Sequence, residues 1–376
     1  MSSAAQSIQL YRQSQLATAL QIAGLSALAL NPGPSLFYLT GLNFHLMERP
    51  VLVIFIPHTP PIIIMPELEA QKVANLQFSV QAFMYGEDPT TWQSVFTQAI
   101  HAAGLDRNCQ VGVEPRRLRF LELRLIESAT NAASIISAED TISSLRVIKE
   151  EREILAMRKA VEIAQRALLN TMPEIKIGTT EKEIAAELTL QLLRAGSDPE
   201  LPFSPIVSSG PNSANPHATP SNRVLQPGDC LVIDWGAASD GYISDITRTF
   251  MIAKADPEME KIGRIVAQSN AAGRAAAGSD VHAGNVDAAA RGVIEESGYG
   301  QFFTHRTGHG IGLEAHEEPY IHSGNKLSLK PGMTFTIEPG IYLPNQNGVR
   351  IEDNVVITAH GSDSLTDLPR ELIVLG

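Results

Sequence analysis

Cysteine is almost missing from this chain: Cys109 and Cys230 are the only two in 376 residues. Two distant thiols build neither a disulfide framework nor a cysteine-rich structural zinc site, and both read as buried free thiols suited to a reducing cytoplasm. Positive charge is scarce too. Lysine and arginine number 29 against 41 aspartates and glutamates, a formal charge of −12 at pH 7, which argues against nucleic acid or an anionic membrane as partner. The densest basic run, Arg116-Arg117-Leu118-Arg119, is short and reads as a solvated helix face. No apolar run exceeds strand length, so no membrane span is expected. Residues 1–6 lack the basic and apolar regions of a secretion signal. Short-period repeats, low-complexity tracts and several catalytic signatures are also absent. Tyr320 stands where a second histidine would complete HExxH after His316, and there is no Walker loop, no strand-linked GxGxxG and no Gly-x-Ser-x-Gly elbow.

What is present is an ordinary globular composition, 44% hydrophobic and 19% charged, in a chain long enough for two cores. Residues 1–137 alternate helical and strand-like apolar patterns and read as an α/β domain, with Ser35–Leu39 taken as one of its strands. Its isolated histidines, His45, His58 and His101, suggest surface or capping roles. Residues 138–170 read as one charged amphipathic helix, of which 138–150 is the connector between domains. From 151 to 376, helices and antiparallel strand pairs come in blocks, the mark of an α+β domain. A capping arrangement at Thr179 or Thr180, followed by Glu181 and Glu183, opens one of its helices.

The chemistry-bearing residues all fall in that second part. His305, His309 and His316 lie within twelve residues, threaded through Gly308, Gly310 and Gly312. Imidazole can ligate metal, move protons or donate to an oxyanion, and the glycines read as room for a peptide backbone. Asp234 sits in the apolar strand Val232–Gly236, and Asp245 follows eleven residues later across a turn at Asp240-Gly241. That spacing places the two carboxylates opposite each other on a hairpin, with Cβ atoms about 5 Å apart. Glu338 ends the strand Phe335–Glu338, and Glu352 lies in a strand from Val349 to Thr358. Taken singly, each acid could cap a helix, close a turn or pair with Arg248 or Arg350. Together, four carboxylates on apolar strands with one imidazole suit two divalent cations about 3.5–4 Å apart, Mn²⁺ first, with Co²⁺, Fe²⁺ or Zn²⁺ as alternatives, better than a cysteine-rich structural zinc site.

These residues and their flanks resemble the M24 metallopeptidases, the aminopeptidase P, prolidase and methionine aminopeptidase group with the pita-bread fold. The matching segments are Ile233-Asp234-Trp235-Gly236, Ser244-Asp245-Ile246-Thr247-Arg248-Thr249, Gly308 to His316, Thr336-Ile337-Glu338-Pro339-Gly340 and Gly348-Val349-Arg350-Ile351-Glu352-Asp353. The resemblance is specific over about residues 150–376. The first 137, including Tyr38-Leu39-Thr40-Gly41, are similar to the creatinase-type N-terminal domain. It implies a fold of a smaller α/β N-terminal domain followed by a pita-bread catalytic domain. It implies that Asp234 holds one ion, that His309 and Glu338 hold the other, and that Asp245 and Glu352 bridge. A metal-bridging hydroxide would then attack the scissile carbonyl, with Glu338 as proton shuttle. By the same resemblance His217 faces substrate beyond the scissile bond, His316 contacts the carbonyl, His305 lines the leaving-group side, and Arg350 orients ligands or binds a substrate carboxylate.

The separate N-terminal domain disfavours methionine aminopeptidases, and the full ligand set disfavours metal-free creatinase. Cleavage before proline remains: an Xaa-Pro aminopeptidase is the first expectation and an Xaa-Pro dipeptidase (prolidase) the alternative. Other M24-type amide hydrolases and non-catalytic pita-bread binding modules are further readings, the last disfavoured by the intact ligands. The expected partners are a peptide or dipeptide with proline second and, by family habit, a second copy of the chain in a homodimer.

Overall fold

The computed structural model describes residues 3–105, 108–130 and 134–376. The secretion-signal expectation rests partly on Met1 and Ser2, which lie outside the described residues. By backbone contacts the chain forms two units, Met1–Arg146 and Val147–Gly376. In chain order the first contains α1 (Ser3–Ala23), β1 (Ala27–Leu30), α2 (Pro34–Thr40), β2 (Leu52–Phe55), β3 (Ile62–Pro66) and α3 (Ala70–Ala74). It continues with β4 (Gln81–Tyr85), α4 (Trp92–Ala102), β5 (Gln110–Val113), α5 (Phe120–Ala129), β6 (Ser134–Ser137) and α6 (Glu139–Arg146). Its strands form one mixed sheet in the order β4-β3-β2-β1-β5-β6. The sequences of β1, β2 and β3 are unbroken apolar runs and are buried at every position, as strands covered on both faces must be.

One expected strand here is a helix. Ser35–Leu39 lies inside α2, where Pro34 occupies the first turn and Gly41 closes the end in a left-handed conformation with its N–H bonded to the Phe37 carbonyl. Proline presets the helical φ at that position and glycine supplies the positive φ of the cap, and these ends override the strand-like run between them. The basic run Arg116 to Arg119 precedes α5 as a turn and is not a helix face.

The second unit begins with α7 (Glu151–Thr171), α8 (Glu181–Arg194), β7 (Ile206–Ser209), β8 (Cys230–Trp235), β9 (Ala238–Ser239), β10 (Tyr242–Ile243) and β11 (Ile246–Ile252). After α9 (Pro257–Ala276) and α10 (Ala283–Glu296) come β12 (Gly308–Gly310), β13 (Glu317–Ile321), β14 (Thr334–Ile337) and β15 (Gly340–Tyr342). The chain finishes with β16 (Gly348–Arg350), β17 (Asp353–Thr358), β18 (Gly361–Ser364) and β19 (Ile373–Leu375). Two sheets dominate, β19-β11-β8-β7 and β13-β12-β14-β17-β18. The helix expected over 138–170 is two helices. Ile148 bridges to Met333, and Glu150 and Glu153 form a reciprocal cap that starts α7 afresh. Thr180 and Glu183 cap α8 in the same way, as their spacing requires. Trp235, Ile233 and Leu231 of β8 pack with α7 and α8 in the largest apolar cluster of this unit. The alternate residues of β8 therefore present the opposite face, and Asp234 is among them.

Candidate metal centre

The two sheets meet at a single backbone bridge, Thr247 to Glu352. Thr247 is also the register partner of Asp234 across β8 and β11. Extending the β14–β17 register one step beyond the Ile337–Asp353 pair brings Glu338 opposite Glu352. Directly paired residues share a sheet face, so Asp234, Thr247, Glu352 and Glu338 form one transverse row. Asp245, two residues before Thr247, points to the same face. The expectation that Asp234 and Asp245 are direct cross-strand partners is thus corrected. The hairpin is centred between Asp240 and Gly241 and keeps one register through β9/β10 and β8/β11, which puts Thr247, not Asp245, opposite Asp234.

His309 enters the row from β12. Its Nδ1 bonds the Gly310 carbonyl at 3.2 Å, an arrangement that assigns the proton to Nδ1 and leaves the Nε2 lone pair free. Nε2 lies 3.4 Å from Glu338 Oε1 and 3.7 Å from Asp245 Oδ2. Asp245, His309 and Glu352 each bring a ligand atom within 4.8 Å of the other two, and all three are buried. The glycines flanking His309 are not room for substrate. A methyl at Gly308 would overlap the Thr336 carbonyl, and one at Gly310 the Glu318 carbonyl. They let the neighbouring strands close directly on the ligand.

The charges here conflict. Burial, then Glu352, Asp234 and Glu338, drives the Asp245 pKa well above the ordinary carboxylate value. Burial, then Glu338 and Asp234, does the same at Glu352. Glu338 is pushed up to about 7 by burial, an effect that Arg350 opposes. Burial, followed by His316, holds His309 well below 6.5 and therefore neutral. The Oδ1 of Asp234 is buried without any hydrogen-bond partner. Like-charged buried carboxylates, a neutral imidazole with its lone pair turned toward them and an orphaned carboxylate oxygen are what divalent cations would satisfy. The donors are four carboxylates and one nitrogen, so the set fits hard to borderline ions.

The remaining predicted residues surround this row. Arg350 is buried and donates to Asp234 Oδ2 at 2.6 Å, Thr247 Oγ1 at 3.1 Å, the Pro216 carbonyl at 3.1 Å and Tyr342 Oη at 3.1 Å. With those partners it orients Asp234; it is not a free substrate anchor. His305 has both ring nitrogens engaged, Nδ1 by the Arg306 carbonyl and Nε2 by Tyr342 Oη, each at 2.8 Å. Burial and then Arg350 bring its pKa down to about 4. The His316 ring meets that of His309 edge-on at 4.1 Å. His217 is exposed on the loop whose Pro216 carbonyl Arg350 holds.

Several contributors escape a reading of the sequence. Thr247 donates to Glu352 Oε2 at 2.7 Å. Asn354 pins both the N–H and the carbonyl of Asp245. Arg248 donates to the Glu352 carbonyl at 2.7 Å and to Asp353 at 2.9 Å. Burial raises Asp353, yet Arg248 and Arg370 hold it below the usual carboxylate value. The available signal was position: Thr247 and Arg248 follow Asp245 within three residues, and Asp353 and Asn354 directly follow Glu352. Cys230 is buried, but Cys109 is partly exposed, and neither is in a disulfide.

Residues 155–359 match metallopeptidase family M24, and residues 12–148 match the creatinase/prolidase N-terminal domain. The chain is 41% identical over 256 residues to the Xaa-Pro dipeptidase of Pyrococcus furiosus, covering 68% of this chain and 73% of that one. The crystal structure of dipeptidase PepE from Mycobacterium ulcerans superposes with a TM-score of 0.90 at 34% identity, over 98% of each chain. The X-Pro aminopeptidase structure from Thermotoga maritima gives a TM-score of 0.84 at 32% identity, over 96% of this chain and 99% of that one.

Proposed function

The chain belongs to metallopeptidase family M24, and from that premise we propose that it is an Xaa-Pro dipeptidase. Its fold is the family's, a creatinase-like N-terminal unit followed by a pita-bread domain. The observation that carries the reading is the row of four carboxylates, Asp245 and Glu352 buried and Asp234 and Glu338 partly buried, joined by a neutral His309, with Asp234 Oδ1 unsatisfied. The sequence alone leaned toward an aminopeptidase. The dipeptidase names of its relatives favour the alternative.

In this reading Asp234, Asp245, His309, Glu338 and Glu352 would hold two divalent cations, with Mn²⁺ as the proposed metal. When bound, such a pair supplies a nucleophile at neutral pH and Lewis acidity at the scissile carbonyl. Glu338 would accept the proton of the attacking water and pass it to the leaving prolyl nitrogen. That nitrogen carries no hydrogen of its own, so an acid must supply one. His316, edge-on to His309, donates to the carbonyl oxygen as it gains charge. Arg350 fixes the Asp234 carboxylate, and Tyr342 with His305 braces Arg350 from behind. His217 reaches substrate from its exposed loop. A homodimer in the cytoplasm completes the proposal, supported by the family resemblance and, for the compartment, by two cysteines that form no disulfide.

Cleavage of Xaa-Pro from longer peptides is the second reading, favoured by the likeness to the Thermotoga maritima X-Pro aminopeptidase. A panel of Ala-Pro, Ala-Pro-Ala, Ala-Ala and Met-Ala with Mn²⁺ separates the two. Ala-Pro turnover well above the rest is expected; a preference for Ala-Pro-Ala favours the second reading, and failure on both proline substrates refutes each.

A further inference from the structure

The five donors of the row are not all held in the same way. Asp234 is fixed by Arg350, Asp245 by Asn354, and Glu352 by Thr247 and Arg248, every one of them a strand residue. His309 and Glu338 are tied instead to each other. The Thr336 hydroxyl accepts from the His309 N–H at 3.2 Å and donates to Glu338 Oε1 at 3.3 Å. The Glu338 N–H bonds the carbonyl of Thr307, two residues before His309, at 2.8 Å. Thr307 is in turn held from α10. Asp287 Oδ1 accepts from its hydroxyl at 2.7 Å and from its N–H at 3.2 Å. Asp287 is buried with Val286, Ala290 and Ile294 on α10, where a carboxylate is costly unless donors surround it. Arg291, one turn further on, supplies two more, Nε to Oδ2 at 3.2 Å and Nη2 to Oδ1 at 3.1 Å. The same guanidinium donates to the carbonyls of Phe303 at 3.1 Å and His305 at 2.8 Å, and lies 4.1 Å over the Phe303 ring. Residues 303, 305 and 307 are thus gripped in turn from one helix, and the grip ends two residues short of His309.

Two ions sharing these five donors must differ in one respect. The single imidazole has one free lone pair, at Nε2, so only one ion can take it. The affinity of that ion depends on how firmly the imidazole is aimed, because a ligand whose supports loosen binds metal more weakly. We propose that Asp287, braced by Arg291, is a positioning residue for the imidazole-bound ion. Through Thr307 it sets His309 and Glu338 in a common register, while the ion held by oxygen alone depends on residues anchored elsewhere. The proposal rests on the two-ion reading of the row. The Asp287 carboxylate is filled by Thr307 and Arg291, so it acts through them and is no ligand itself. A staple that only fastened α10 to the sheet would use the same bonds, yet it would have no preference between the two ions.

The test titrates the metal-stripped full chain with Mn²⁺ and counts bound ions, in wild type, Asp287→Ala, Thr307→Val and Thr307→Ser. Wild type is expected to bind two. In Asp287→Ala and Thr307→Val one of the two should bind about 10- to 100-fold more weakly while the other keeps its wild-type affinity. The weakened ion should be the one whose spin-resonance signal carries the nitrogen coupling of an imidazole. Thr307→Ser retains the hydroxyl and should restore it. Thr307→Val nearly preserves side-chain volume, so the measurement stands even where Asp287→Ala fails to fold. Affinity lost equally at both ions, in step with a lower Tm of the stripped protein, overturns the proposal, as does a Thr307→Val chain that binds both ions as wild type does. Thr307→Ser behaving like Thr307→Val also overturns it. A wild type that binds fewer than two ions overturns the two-ion reading, and this proposal with it.

Discussion

Asp245 shows how much of the site's energetics is written in single residues. It is buried beside Glu352, Asp234 and Glu338, and without cations it holds a proton far above the usual carboxylate pKa. Glu352 does the same, and Glu338 up to about 7. Because the folded chain binds these protons more tightly than the unfolded chain, their stabilising effect is complete below the ordinary carboxylate pKa of about 4 and is lost as pH rises through the folded values. His305, His309 and His316 act in the opposite sense, since their depressed pKa values favour the fold above about pH 6.5 and cost it stability below. Comparing two proteins with the same histidines removes that opposition. Metal-free Asp245→Asn should be more stable than metal-free wild type, with a Tm gap that widens from pH 5 to pH 8, while its metal affinity and turnover collapse. Thermal melts with chelator test this, and a gap that narrows with pH contradicts the assignment. The acids were legible as charged side chains on apolar strands, and His309 as one of three histidines threaded through glycines. Thr307 and Tyr342 were not. Their meaning depends on partners such as Asp287 and His305, which adjacency in the chain does not reveal.

At the scale of elements, the loop over 209–221 owes its shape to one carboxylate. Glu181, buried in the first turn of α8, accepts from the N–H and hydroxyl of Ser209, the Asn212 amide, and the N–H and hydroxyl of Ser221. That loop carries His217 and the Pro216 carbonyl held by Arg350. Glu181→Ala strips the acceptor from buried donors, so a stability loss on the order of 2–4 kcal/mol is expected, with a rise in KM larger than any fall in kcat. Denaturant melts and dipeptide kinetics check both; unchanged KM in a folded variant would sink the link between Glu181 and substrate. Periodicity located most helices here, and the Thr180–Glu183 cap was readable from its spacing. It failed where ends outweigh the middle. Pro34 and Gly41 turn a strand-like run into α2, and the bridge from Ile148 to Met333 divides a pattern that looks continuous into α6 and α7. The latter partner is 185 positions away by the numbering, beyond any local pattern.

For the molecule as a whole, the site is a product of long-range pairing. Arg350 reaches Asp234 across 116 positions, Thr247 reaches Glu352 across 105, and Asp245 is pinned by Asn354 across 109. Local motifs could nominate the residues, and only the meeting of two sheets at the Thr247–Glu352 bridge assembles them. No helix among the described residues is long and apolar enough to cross a membrane. The central claim is that this assembly is a two-ion centre for hydrolysis before proline. Its most direct test is a titration of metal-stripped protein with Mn²⁺, following bound metal and Ala-Pro turnover on the same sample. Turnover should be absent without metal and should reach its plateau at about two ions per chain. Full turnover by stripped protein, or a chain loaded with two ions that cleaves no Xaa-Pro bond, would contradict the account.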